Sequence, residues 1–122
     1  MRITKKQIDR YSRQIILKKV GVIGQKKLLK SKVLIVGAGG LGSPIAIYLA
    51  ALGIGSIGIV DKDKIEISNL NRQIIFENKD IKKNKSIVAA LKIKKINKDI
   101  KVNHYSTTLD KKISKKSLQN MI

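Results

Sequence analysis

Six residues, Gly37-Ala38-Gly39-Gly40-Leu41-Gly42, constrain this chain more than any others, because of what flanks them. Before them stands Lys32-Val33-Leu34-Ile35-Val36, a β-branched apolar run that predicts a buried strand. After them come Ser43 and Pro44, a pair that predicts a helix start, with Ser43 as N-cap and Pro44 in the first helical position. Glycine lets the backbone turn tightly and approach a phosphate with no Cβ in the way. The free N–H groups and positive dipole end of the following helix then face an anion. Strand, glycine loop and helix in that order match the G-x-G-x-x-G context of a nucleotide-binding turn. The same glycines also suit a helix that merely packs closely on a sheet, and the pattern alone leaves both readings open.

No charged residue occurs from Val33 to Val60, a stretch long enough to cross a bilayer. Its seven glycines and Pro44 punctuate it, however, and a parallel sheet buried on both faces also reads as continuous apolar sequence. A soluble, cytoplasmic protein is therefore expected, with no membrane partner. Ile45, Leu49 and Leu52 predict the inner face of the first sheet-covering helix, with Gly53 closing it. A second strand is expected over 57–60. Periodicity is then lost from 61 to about 80, which predicts a long, functional loop with a short helical turn near 69–72. Spacing predicts a helix over 84–97 with Ile87, Leu91 and Ile93 or Ile96 inward and lysines outward. A third strand over 101–105, carrying His104 and Tyr105 in structural roles, and a weak helix over 114–121 complete the chain. Upstream, residues 4–29 predict two short basic helices broken at Gly21 and Gly24, with Ile8, Tyr11, Ile15 and Ile16 on one apolar stripe.

The predicted class is α/β. Helices followed by β-α-β-α-β read as a Rossmann-like, doubly wound, mostly parallel sheet truncated to about one mononucleotide-binding half. Residues 1–30 are expected to form an N-terminal helical arm and residues 31–122 the truncated Rossmann-like nucleotide-binding domain. In such a half the first strand lies on an edge of the sheet.

With 122 residues there is room for one domain. The absence of Cys excludes disulfides, thiolate zinc sites and a catalytic thiol within the chain, and the lone His104 cannot supply a histidine-rich metal site. A net charge of +19 invites a nucleic-acid reading. Against it, only four of the basic residues are Arg (Arg2, Arg10, Arg13, Arg72), and only four aromatics could stack on bases. Lys, Ile and Asn rising together resemble compositional drift with solvated surface lysines, so no specific nucleic-acid partner is expected.

Asp61 ends the second predicted strand, where a carboxylate can accept hydrogen bonds from the ribose of a nucleotide lying across the strand tips. Glycine loop and Asp61 together favour a nucleotide without choosing between NAD and ATP. The choice comes from four motifs in order. Arg10-Tyr11-Ser12-Arg13-Gln14, the loop at 37–42, Ser68-Asn69-Leu70-Asn71-Arg72-Gln73, and Lys85 closing Asp80-Ile81-Lys82-Lys83-Asn84-Lys85 resemble the ThiF/MoeB/HesA family of ubiquitin-activating-enzyme-like adenylyltransferases. Lys82 stands where that family usually has glycine.

The resemblance implies binding of ATP with Mg²⁺ and transfer of AMP to the C-terminal carboxylate of a ubiquitin-fold sulfur carrier, of the thiamine or molybdopterin type. It implies catalytic roles for Arg13, Arg72 and Lys85, with Arg13 reaching into the partner's site of a homodimer. It implies nucleotide binding by Gly37, Gly39, Gly40, Asp61, Asp63, Ser68, Asn69, Leu70, Asn71, Arg72 and Lys85. The family's Mg²⁺-binding aspartate belongs to a strand beyond Ile122, so no metal ligand is assigned here and the chain is expected to be incomplete or inactive alone. Two alternatives stand beside this reading: a non-catalytic nucleotide- or partner-binding remnant, and an NAD-binding oxidoreductase fragment.

Overall fold

The computed structural model describes residues 1–110 and Lys115; the helix expected over 114–121 lies outside the described residues. Two helices, α1 (Lys5–Ile15) and α2 (Gly21–Lys30), precede β1 (Lys32–Val36), α3 (Gly42–Leu52), β2 (Ser56–Val60), α4 (Lys85–Ile96) and β3 (Lys101–Tyr105). Two 3₁₀ turns, Ile67–Asn69 and Asn78–Asp80, punctuate the segment between β2 and α4. The strands form one parallel sheet in the order β1-β2-β3, with Val36 opposite Val60 and Val60 opposite Tyr105. This is a Rossmann-like α/β fragment, and β1 is an edge strand among the described residues.

Alternation along the strands places Val33, Ile35, Ile57, Ile59 and Val102 on one face, where they join the core with residues of α3 and α4. Ile57, Ile59 and Ile93 are wholly buried. Each contributes roughly 1.5–3 kcal/mol relative to exposure. The two helices bury small side chains toward the sheet and each other: Ser43, Ala46 and Ala50 on α3, Ser86, Ala89 and Ala90 on α4. Several expected core positions consequently lie outside. Ile45 is 48% exposed and Leu91 61%, because the close approach of helices admits alanine and serine where periodicity of large residues points to isoleucine and leucine.

The start of α3 also differs from expectation. The helix begins at Gly42, one residue before Ser43, with Leu41 as its N-cap and no side-chain cap. Ser43 is buried, and its Oγ accepts a hydrogen bond from the Ile75 N–H at 3.0 Å, so its hydroxyl ties the later loop to α3 instead of capping the helix. Pro44 still falls in the first turn, where a missing N–H costs no helical bond. At the other end, Gly53 closes α3 in the left-handed conformation as expected. The break between the first two helices falls at residues 16–20, and Gly24 lies within α2.

α1 is fastened where α3 and α4 end. The Leu52 carbonyl at the end of α3 accepts from Gln14 Nε2 (2.6 Å) and Gln25 Nε2 (3.2 Å), and the Ile96 carbonyl ending α4 accepts from Arg10 Nη1 (3.3 Å). Helix ends leave such carbonyls without intrahelical partners. Asn97, fully buried, donates to the Tyr11 hydroxyl at 2.7 Å and to the Ala50 carbonyl at 2.9 Å, while its Oδ1 accepts from the Asp99 N–H at 3.1 Å. Asn97→Ala leaves the buried Tyr11 hydroxyl without its donor. The variant is expected to lose about 2–3 kcal/mol of stability in urea unfolding.

Candidate functional site

The loop between β1 and α3 is shaped by contacts that admit no side chain. Gly37 has φ +96°, and a Cβ on Gly42 would lie 1.9 Å from the Gly37 carbonyl oxygen. The chain thus turns back upon itself within six residues, at the tips of β1 and β2. Gly37 N–H bonds the Val60 carbonyl (2.8 Å), Ala38 N–H bonds Asp61 Oδ2 (2.8 Å), and Asp61 Oδ1 takes the Asp63 N–H (2.8 Å). Asp61 therefore sits against the glycine loop, as its place at the strand tip requires. The N–H groups of Gly39, Gly40 and Leu41 have no partner among the described residues. They open the N-terminus of an eleven-residue helix, where the dipole favours negative charge.

Arg72 lies over this loop. A Cβ on Gly40 would meet Arg72 Cγ and Cδ at 3.7 Å, so the arginine stem runs across the bare glycine. The guanidinium is aimed by its own turn: Nη1 donates to the Ser68 carbonyl (3.1 Å) and to Asn71 Oδ1 (3.0 Å). Ser68 and Asn71 act on Arg72 in this structure, whereas Leu70 packs on the core. Asn69 is buried and orders the turn by accepting the Glu66 N–H at 2.9 Å.

Lys85 opens α4 and is buried, against the expectation that lysines of this helix face outward. A cation at the positive end of a helix and removed from water is unfavourable on both counts. No carboxylate among the described residues lies within ion-pair distance of it, and it faces a concavity of about 330 Å³ shared with Asp63, Lys64, Glu66 and Asn69. An uncompensated, half-enclosed lysine fits an anion supplied from outside. A second concavity, of about 180 Å³, lies at the strand tips between Gly37, Asp61, Lys62 and Thr107.

The turn delivering Lys85 is clamped. Lys92 on α4 pairs with Glu77 and stands 3.5 Å from Asp80 Oδ2. The Lys92 hydrogen bond, reinforced by Lys79, holds Glu77 below the usual carboxylate range, and the Glu77 carboxylate in turn raises Lys92. Lys82 has φ +73°, the left-handed region in which glycine is at ease and a lysine is strained.

Structure thus gathers Gly37, Gly39, Gly40, Asp61 and Arg72 around the loop, and Asp63, Asn69 and Lys85 around the neighbouring concavity. It does not bring Arg13 there. Of the Arg10–Gln14 motif, Arg10, Tyr11 and Gln14 are bound to the far ends of the helices, while Arg13 is exposed with no ion pair to Asp9 or to any other described residue. Sequence reasoning assigned no role to Gln73. Gln73 is buried with Oε1 unpartnered, and its Nε2 lies 3.8 Å from where a Gly39 Cβ would stand. Its place directly after Arg72 was the available signal. Among the described residues no cluster of three or more acidic, His or Cys side chains could hold a metal ion, and no helix is long and apolar enough to cross a membrane.

The ThiF family model matches residues 11–122. This chain belongs to the ThiF family. It is 43% identical over 109 residues to the sulfur carrier protein adenylyltransferase of Thermus thermophilus, covering 89% of this chain and 40% of that protein. It is 42% identical over 113 residues to the Escherichia coli sulfur carrier protein ThiS adenylyltransferase, covering 93% and 43% respectively. The solved structure of E. coli MccB with ATP matches with a TM-score of 0.75 at 34% identity, over 91% of this chain and 33% of that one. The chain thus spans about two fifths of the length of these curated relatives.

Lys82 holds a backbone conformation in which only glycine carries no Cβ penalty. Lys82→Gly is expected to raise stability by about 1 kcal/mol in chemical denaturation, through relief of the left-handed strain less the added chain entropy.

Proposed function

We propose that this chain is the ATP-binding part of an adenylyltransferase that activates the C-terminal carboxylate of a ubiquitin-fold sulfur carrier. The observation that carries the reading is the pairing of two anion-seeking features that meet no anion among the described residues: the unpartnered N–H groups of residues 39–41 and the buried Lys85. Arg72, whose stem runs over Gly40, adds a guanidinium beside the glycine loop. A triphosphate lying from the glycine loop toward Lys85 would meet a helix N-terminus, a guanidinium and an ammonium in turn. Each carboxylate oxygen of Asp61 keeps a second lone pair beyond its backbone bond, enough to accept a ribose hydroxyl. The relatives' names and the ATP-bound MccB structure support the same ligand and the same kind of partner.

In the proposed reaction a carboxylate oxygen of the carrier attacks the α-phosphorus, the bond to the β-phosphate oxygen breaks, and pyrophosphate leaves. Arg72 and Lys85 hold the phosphates and offset the charge that builds up as two anions approach. The residues described here do not fit a Mg²⁺ site, so no step is assigned to that ion. Arg13, turned outward, is proposed to act across a homodimer in the second copy's site. The supporting observation is that Arg10, Tyr11 and Gln14 of the motif bond to residues at the helix ends while Arg13 has no such bond among the described residues.

Calorimetry with ATP and NADH tests the nucleotide. ATP is expected to bind more tightly, and Arg72→Ala or Lys85→Met to weaken it about tenfold or more each. Preference for NADH, or indifference to both substitutions, contradicts the reading. Pyrophosphate exchange in the presence of a sulfur-carrier protein tests the chemistry. Binding of ATP without exchange leaves a nucleotide-binding protein and removes the catalytic part of the proposal.

A further inference from the structure

Between the second 3₁₀ turn (Asn78–Asp80), the strained loop after it and the outer face of α4 lies a groove of about 480 Å³. Its rim carries Lys64, Lys79, Lys82, Lys83 and Lys95. Lys92 is neutralised by Glu77 and Asp80, and Lys79 lies 3.6 Å from Glu77 in a solvent-exposed pair of little energetic weight. The other four rim lysines have no acidic partner among the described residues. The floor is apolar, formed by Ile87, Val88 and Leu91, the last with 61% of its surface exposed in the midst of these cations. Within the described chain nothing covers the leucine or balances the lysines.

We propose that this groove docks an acidic segment of a partner protein, with aliphatic side chains seated on Ile87 and Leu91 and carboxylates on the lysine rim. Burying an aliphatic side chain on such a floor supplies attraction that survives salt, while the rim steers acidic partners and selects against basic ones. A nucleic acid fits less well. The lining contains no arginine to fork onto phosphate or base and no aromatic ring for stacking, and an apolar floor offers a phosphodiester nothing. Lys64 also stands in the wall of the concavity facing Lys85, so a segment docked here lies beside the proposed phosphate site. The groove proposal rests on charge and shape alone and holds with or without nucleotide.

Fluorescence anisotropy with a labelled twelve-residue peptide, glutamates and leucines at helical spacing, tests it on the full chain. Leu91→Ser is expected to weaken binding about fivefold. The pair Lys83→Glu with Lys95→Glu is expected to weaken it about tenfold. The pair Lys18→Glu with Lys19→Glu, which changes net charge equally but lies between α1 and α2, is expected to change it no more than about twofold at physiological salt. Leu91, Lys83 and Lys95 are all exposed, so these variants keep the core intact. Equal losses in the two charge-reversed pairs would reduce the effect to net charge and overturn the proposal. So would an unchanged affinity in Leu91→Ser, or tighter binding of a twelve-nucleotide RNA that is lost in the Lys83/Lys95 pair.

Discussion

The carboxylate of Asp61 joins two pieces of chain that would otherwise drift apart: one oxygen holds the Ala38 N–H of the glycine loop, the other the Asp63 N–H of the segment leading away from β2. The carboxylate grips Ala38, and the next three N–H groups, at the head of α3, are left without a partner among the described residues. Because it grips Asp63, whose own carbonyl accepts the Lys85 N–H at 3.0 Å, the start of α4 is drawn to the same end of the sheet. A single side chain therefore sets the spacing between the helix N-terminus and the buried ammonium. The absence of any side chain on Gly42 lets the Gly37 carbonyl of the same loop pack against the start of α3.

The surplus positive charge of the sequence is spread unevenly in its consequences. Most lysines are solvated and do little. Lys92 is held by two carboxylates and fixes the turn before α4. Lys85 is buried without one among the described residues, and Arg72 is braced by a carbonyl and an amide, acceptors that direct it without neutralising it. Cations held in place and left uncompensated are what a polyanionic ligand requires, and proteins rarely maintain them without one.

Much of this was legible in the residues. The β-branched run, the glycine cluster and Gly53 predict β1, the turn and the end of α3, and alternation predicts β3, because each depends on local chain chemistry. Less legible were the buried faces of α3 and α4. Side-chain periodicity there favours Ile45 and Leu91, while the close packing of helix on helix and sheet selects Ala46, Ala50, Ala89 and Ala90. The same tertiary demand turns Ser43 from an apparent cap into a partner for Ile75 thirty-two residues away. At the site, the motif residues Asp61, Arg72 and Lys85 could be named from sequence. That Ser68 and Asn71 serve to aim Arg72, and that Gln73 brings a side-chain amide with an unpartnered oxygen near Gly39, required the three-dimensional arrangement.

The most direct measurement is amide NMR of the intact chain titrated with ATP and, separately, with adenosine. An anion seated at the head of α3 predicts saturable shifts and slowed hydrogen exchange at the amides of Gly39, Gly40 and Leu41 with ATP, and much smaller changes there with adenosine. Shifts confined to the lysine-rich face of α4, or equal responses to the two ligands at the loop, would contradict it.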